Sequence, residues 1–146
     1  MSNYKFKDTS FAKHIKKDWR EELEIEIGDS KQSSLFYPQL KVKRWGNEVN
    51  LSIRLKDDDY TQGSYSLSDD DKIIWKKGKK SVRFYDIPIS LDNLFGGHEI
   101  DVLLEEKPFS NIIEFTLESK GCTFYYQREL TQKFLLKTYW KNQLLQ

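Results

Sequence analysis

"QLKVKRWGNEVNLSIRL", residues 39–55, decides the fold. Gly46-Asn47 at its centre is a two-residue hairpin turn, and Gly in the first place suits the type II′ form. Counting outward sets Arg44 against Val49, Val42 against Leu51, and Leu40 against Ile53. Leu40, Val42, Val49, Leu51 and Ile53 then share one face, and Lys41, Lys43, Asn50, Ser52 and Arg54 share the other. A slip of one residue would send one strand's apolar side chains to solvent, so turn and pattern agree on one register.

The same period of two runs through the neighbouring segments. In EELEIEIGDS, Leu23, Ile25 and Ile27 alternate with Glu22, Glu24 and Glu26, which reads as a strand with one buried and one solvated face. In DKIIWKKGKKSVRFYDI a turn at Gly78-Lys79 pairs Trp75 with Val82 and Ile73 with Phe84, and so groups the apolar side chains. EIDVLLEEKP puts Ile100, Val102 and Leu104 on one face, and Pro108 stops that strand or marks an edge. NIIEFTLESKGCTFYYQRELTQ, residues 111–132, reads as a last hairpin turning at Ser119-Lys120-Gly121, with Phe124 to Tyr126 as core side chains if both faces are covered, and Tyr125 in a binding platform for a sugar ring or a partner loop if one face is open.

Between these segments the pattern lapses. Residues 56–71, KDDDYTQGSYSLSDDD, are polar without a period and read as a long loop or exposed arm. Residues 86–98 connect strands, with one helical turn expected at Leu91–Phe95. In SFAKHIKKDW, Phe11, Ile15 and Trp19 fall at i, i+4 and i+8 after Ser10, which predicts a short N-terminal helix.

Seven or eight short strands with no long crossover helix predict an all-β fold, an antiparallel β-sandwich, of which a jelly roll is one form. The chain of 146 residues is expected to be one domain. It comprises an N-terminal arm at 1–20, the sandwich at 21–132 and an apolar, basic tail at 133–146. In that tail Leu135, Leu136, Tyr139 and Trp140 share an apolar helical face, so it should dock on the domain or on a second copy.

Charge excludes some functions. The 24 basic and 23 acidic side chains leave a net charge of +1, with no global field for nucleic acid or an anionic membrane. One cysteine rules out an intrachain disulfide, and the start lacks the apolar core of a signal peptide. No apolar run reaches the length of a membrane-spanning helix.

Each candidate for chemistry also has a plainer reading. Cys122 would need a base, and His14 and His98 lie far away in sequence, so it reads as a small sheet residue. Two histidines and one cysteine give no zinc spacing. Asp57 and Asp59 have the alternate spacing of a calcium loop, but the glycine and the closing glutamate are missing. That stretch and Asp69–Asp71 read as solvating charges. Lys76, Lys77, Lys79 and Lys80 cluster at a hairpin tip beside Trp75, where they could touch phosphates or simply guard a turn against edge pairing. No catalytic residue, cofactor or metal ligand is expected.

Four segments carry a resemblance. DWREELEIEIGDS, FYPQLKVKRWGNEVNLSIRL, HEIDVLLEEKP and NIIEFTLESKGCTFYYQRELTQ, in that order over residues 18–132, resemble a group of uncharacterised proteins from tailed-phage and viral metagenomic sequences. The chain departs from that pattern at its end. Arg128-Glu129 stand where prolines follow FYYQ in the family, and KFLLKTYWKNQLLQ replaces an acidic continuation. The resemblance implies a phage setting, a location in the virion or host cytoplasm, and a non-enzymatic structural, decoration or assembly role. Its partners would be proteins, either virion components or a second copy in a homo-oligomer, rather than nucleic acid or membrane. The alternatives are a glycan-binding sandwich and a small enzyme without a recognised motif.

Overall fold

The computed structural model describes residues 3–15, 22–94 and 96–126. Ten strands run along the chain. They are β1 (Lys5–Lys7), β2 (Ser10–Ile15), β3 (Leu23–Gly28), β4 (Gln39–Arg44), β5 (Val49–Leu55), β6 (Ser64–Leu67), β7 (Ile73–Lys77), β8 (Lys80–Ile87), β9 (Gly97–Leu104) and β10 (Phe115–Lys120). All pairings are antiparallel. One sheet has the order β1-β2-β3-β4-β5-β10 and the other β6-β7-β8-β9. Each sheet is a meander of successive hairpins, except that β10 returns to the first sheet after the second is complete.

The central register is the expected one. Leu40 faces Ile53, Val42 faces Leu51 and Arg44 faces Val49. The turn differs from expectation in type. Both Gly46 and Asn47 have positive φ, at 61° and 72°, which is the type I′ pattern, and Glu48 N–H closes it onto the Trp45 carbonyl at 3.2 Å. The β7–β8 register also stands, with Trp75 against Val82 and Ile73 against Phe84.

Apolar faces meet between the sheets. Ile25, Ile27, Leu40 and Leu55 from one sheet and Ile73, Trp75, Val82 and Phe84 from the other form a shared core, with Tyr4, Phe11 and Phe36 closing its margin. Trp75 is fully buried, and among the described residues its indole N–H has no hydrogen-bond partner. It lies against Gly63, where an added Cβ would come within 2.1 Å of the indole nitrogen. Gly63 is what leaves room for this ring.

Several expectations are corrected. The N-terminal segment is a strand, not a helix, because Phe11 pairs with Ile27 and Ile15 with Leu23. A spacing of four is also an even number, so one stripe at i and i+4 fits a strand face as well as a helix face. The rest of that stripe, Trp19, lies outside the described residues. The polar stretch 56–71 contains a 3-10 turn at Tyr60–Gln62 and the edge strand β6, whose Tyr65 opposes Trp75. No helical turn forms over 91–94. The last hairpin has only its first arm among the described residues: beyond Gly121, with φ of +70°, residues 122–126 leave the strand, and Phe124, Tyr125 and Tyr126 are exposed instead of core. The tail 133–146 lies outside the described residues.

Candidate interaction surface

β10 forms because FTLESK alternates. Phe115, Leu117 and Ser119 share the face of Ile53 and Leu51, while Thr116, Glu118 and Lys120 share the face of Arg54, Ser52 and Asn50. Among the described residues β10 is the end of its sheet, and all six of its residues are exposed. Leu117 keeps 58% of its surface in solvent. The segments on either side continue the uncovered apolar surface: Phe109, Ile112 and Ile113 precede the strand, and Phe124, Tyr125 and Tyr126 follow it. Apolar side chains exposed along one sheet edge make this the candidate interaction surface. Lys56 N–H donates to the Glu114 carbonyl at 2.9 Å and extends the β5–β10 ladder by one step.

The opposite face of the same sheet is polar yet well covered. Arg54 Nε donates to Gln39 Oε1 at 2.9 Å, and its guanidinium also pairs with Asp29 and lies over the Tyr37 ring at 4.5 Å. Tyr37 in turn contacts Tyr60, ring to ring, at 4.8 Å. Gln39, Ser52, Arg54, Tyr60, Thr116 and Glu118 line a cleft of about 140 Å³ here. Farther along, Lys43 joins Glu24 at 2.9 Å and Glu26 at 2.6 Å. Burial pushes the Glu26 carboxyl up, but Lys43 and the Ser30 N–H more than offset this, so its pKa sits below the usual range. Glu26 was expected in solvent, and it is buried because Lys43 lies across it.

A second polar cluster ties the sheets together. Asp86 on β8 accepts from Tyr4 Oη at 2.8 Å, pairs with His98 Nδ1 at 2.8 Å, and binds the Lys13 ammonium from β2. Burial raises the Asp86 pKa, and the bonds from His98, Lys13 and Tyr4 outweigh burial and hold it far below the carboxylate range. Burial and the neighbouring carboxylate push the Tyr4 hydroxyl well up. Residues 4, 13, 86 and 98 carried no sequence signal as a group, because only the packing of two sheets brings them together.

The acidic loop and the basic hairpin tip neutralise one another. Asp57 accepts from Lys77 and from Lys80, both at 2.5 Å, and from the Asp59 N–H at 3.0 Å. Its carboxylate is 3% exposed, and although burial raises its pKa, these partners hold it down at about 2. Lys76 pairs with Glu105 at 2.9 Å, and Lys79 lies 3.8 Å from the same carboxylate. Asp59 caps the 3-10 turn through Thr61 N–H, and Asp70 binds Lys72 at 3.1 Å. Cys122 is exposed, with Sγ 3.7 Å from the Asn50 carbonyl. His14 pairs with Glu22 at 3.1 Å, so each histidine engages a carboxylate rather than the thiol. No helix among the described residues is long and apolar enough to cross a membrane.

Comparison with protein-family models, curated proteins and solved structures finds no match for this chain.

Proposed function

We propose that this protein is a non-enzymatic interaction module, a structural or assembly component that docks other protein through the β10 edge. The observation that carries this reading is the uncovered apolar surface along β10, with Leu117 at its centre and aromatic or aliphatic residues at both ends. The phage-like setting, in the virion or host cytoplasm, comes from the resemblance of residues 18–132 and is part of the same proposal. The test is association of the full chain, alone and co-expressed with the products of neighbouring genes, compared with a Phe115→Lys/Leu117→Lys variant. Association that disappears in the folded variant is the expected result, and association indifferent to it overturns the reading.

The polar cleft favours a second reading, a saccharide-binding sandwich. Vicinal hydroxyls suit planar, two-pronged groups such as those of Arg54, Gln39 and Glu118, and a sugar ring suits an aromatic wall such as Tyr60. Calorimetric titration with simple sugars, on wild type and Glu118→Ala, would separate this reading from the first.

A further inference from the structure

We infer that β10 pairs antiparallel with β10 of a second copy of this chain about a twofold axis through Leu117, joining two six-stranded sheets into one continuous sheet. This rests on the interaction reading and names its partner. The backbone geometry comes first. Because Lys56 N–H binds the Glu114 carbonyl, Glu114 directs its backbone groups at β5, and by alternation so do Thr116, Glu118 and Lys120. Phe115, Leu117 and Ser119 therefore direct their N–H and C=O groups away from the sheet, where a further strand would bind them. A twofold axis normal to the sheet makes the added strand antiparallel and keeps each face on its own side.

Side-chain chemistry then selects the register. With Leu117 opposite Leu117, Phe115 meets Ser119, Thr116 meets Glu118, and Glu114 meets Lys120, so an apolar pair sits at the centre and opposite charges sit on the flanks. Centring on Glu118 sets two glutamates face to face. Centring on Thr116 sets Glu114 against Glu118. Like charges directly opposed disfavour both neighbouring registers. Centring on Ser119 keeps Glu118 opposite Lys120 but leaves Leu117 against Gly121, and centring on Phe115 has no opposite charges on its flanks, so Leu117 is the centre that combines an apolar pair with flanking opposite charges.

The flanks agree with this. Antiparallel pairing lays the segment before β10 of one copy beside the segment after β10 of the other. Phe109, Ile112 and Ile113 then approach Phe124, Tyr125 and Tyr126 of the second copy, so the uncovered residues at the two ends of the strand cover each other.

Sedimentation velocity of the full chain over a concentration series tests this, with charge reversals at the flanks. Glu114 and Lys120 are exposed, so the variants keep their fold, which circular dichroism checks. The expected result is a wild-type dimer whose dissociation constant rises about tenfold in Glu114→Lys and in Lys120→Glu, since symmetry places two like-charged pairs in each dimer. The double variant should recover the wild-type value. A dimer lost in Leu117→Lys but unresponsive to the reversals overturns this pairing and leaves the interaction reading standing. A monomeric chain that stays monomeric overturns the pairing, and the co-expression experiment then decides the interaction reading separately. A chain that is monomeric until residues 133–146 are removed identifies the tail as the occupant and likewise overturns it.

Discussion

Gly63 and Gly46 are both glycines beside turns, yet they are needed for opposite reasons. Gly46 has φ of +61° and nothing within 4 Å of an added Cβ, so Gly46→Ala costs only backbone strain, about 1 kcal/mol. Gly63 has an ordinary extended backbone, with φ of −84°, but its Cβ would enter the Trp75 ring. Gly63→Ala should therefore cost about 3 kcal/mol by overpacking, and urea denaturation should rank the two in that order. Equal losses would mean that the Trp75 ring yields. The Asp86 clasp gives a pH signature. Its folded pKa lies below the unfolded value of about 3.9, so its stabilisation is complete above that value and lost as pH falls through the depressed one. Asp86→Asn should lower stability at pH 7 and flatten the decline below about pH 4, as read by denaturation midpoints from pH 7 to pH 2. Neither residue was legible in the sequence. Gly63 stood in a stretch without a period, and Asp86 in a connection, and their meaning depends on groups from distant parts of the chain.

Among the elements, strands with clean alternation were legible, alone as in β3 and β9 or paired as in the hairpins, and strands without it were not. The β4–β5 and β7–β8 registers follow from local alternation around a glycine turn, and both stand. Strand β2 reads as a helix because Phe11 and Ile15, four apart, fit either element, and β6 escaped because SYSL has few apolar residues and draws its definition from the neighbour β7. The type of the Gly46-Asn47 turn was also misread, since Asn tolerates positive φ and a Gly-Asn pair fits either primed form. The β7–β8 tip offers a contrast between its own lysines. Lys77→Gln/Lys80→Gln removes both ammonium partners from a carboxylate that is 3% exposed, which should cost about 3–5 kcal/mol. Lys76→Gln/Lys79→Gln loses only surface pairs to Glu105, worth less than about 1 kcal/mol. Thermal unfolding of the two double variants measures the difference. Salt-sensitive DNA binding by the wild type, absent from the Lys76/Lys79 variant, would instead revive a phosphate-contacting tip.

Across the whole molecule, the two sheets differ from their edges inward. β3 and β4 have strands on both sides and supply Ile25, Ile27 and Leu40 to the core, whereas β1, β6, β9 and β10 end their sheets among the described residues. Amide hydrogen exchange should run fastest at those ends and slowest in β3, β4 and β8, and uniform protection would contradict this layering. The all-β class was legible from period alone, but the sheet order was not, because nothing in FTLESK says that it lies beside VNLSIRL instead of its neighbours in the chain. That placement matters during synthesis. Residues 1–55 can form their five-strand meander while everything needed for the second sheet is still to be made. The flank of β5 then waits, unpaired, until β10 has cleared the ribosome. Throughout that interval β5 offers its open hydrogen bonds to any passing segment, including β10 of another nascent chain on the same message. Crowded polysomes would therefore favour exchange of β10 between copies, and slow translation of residues 56–114 would lengthen the opportunity.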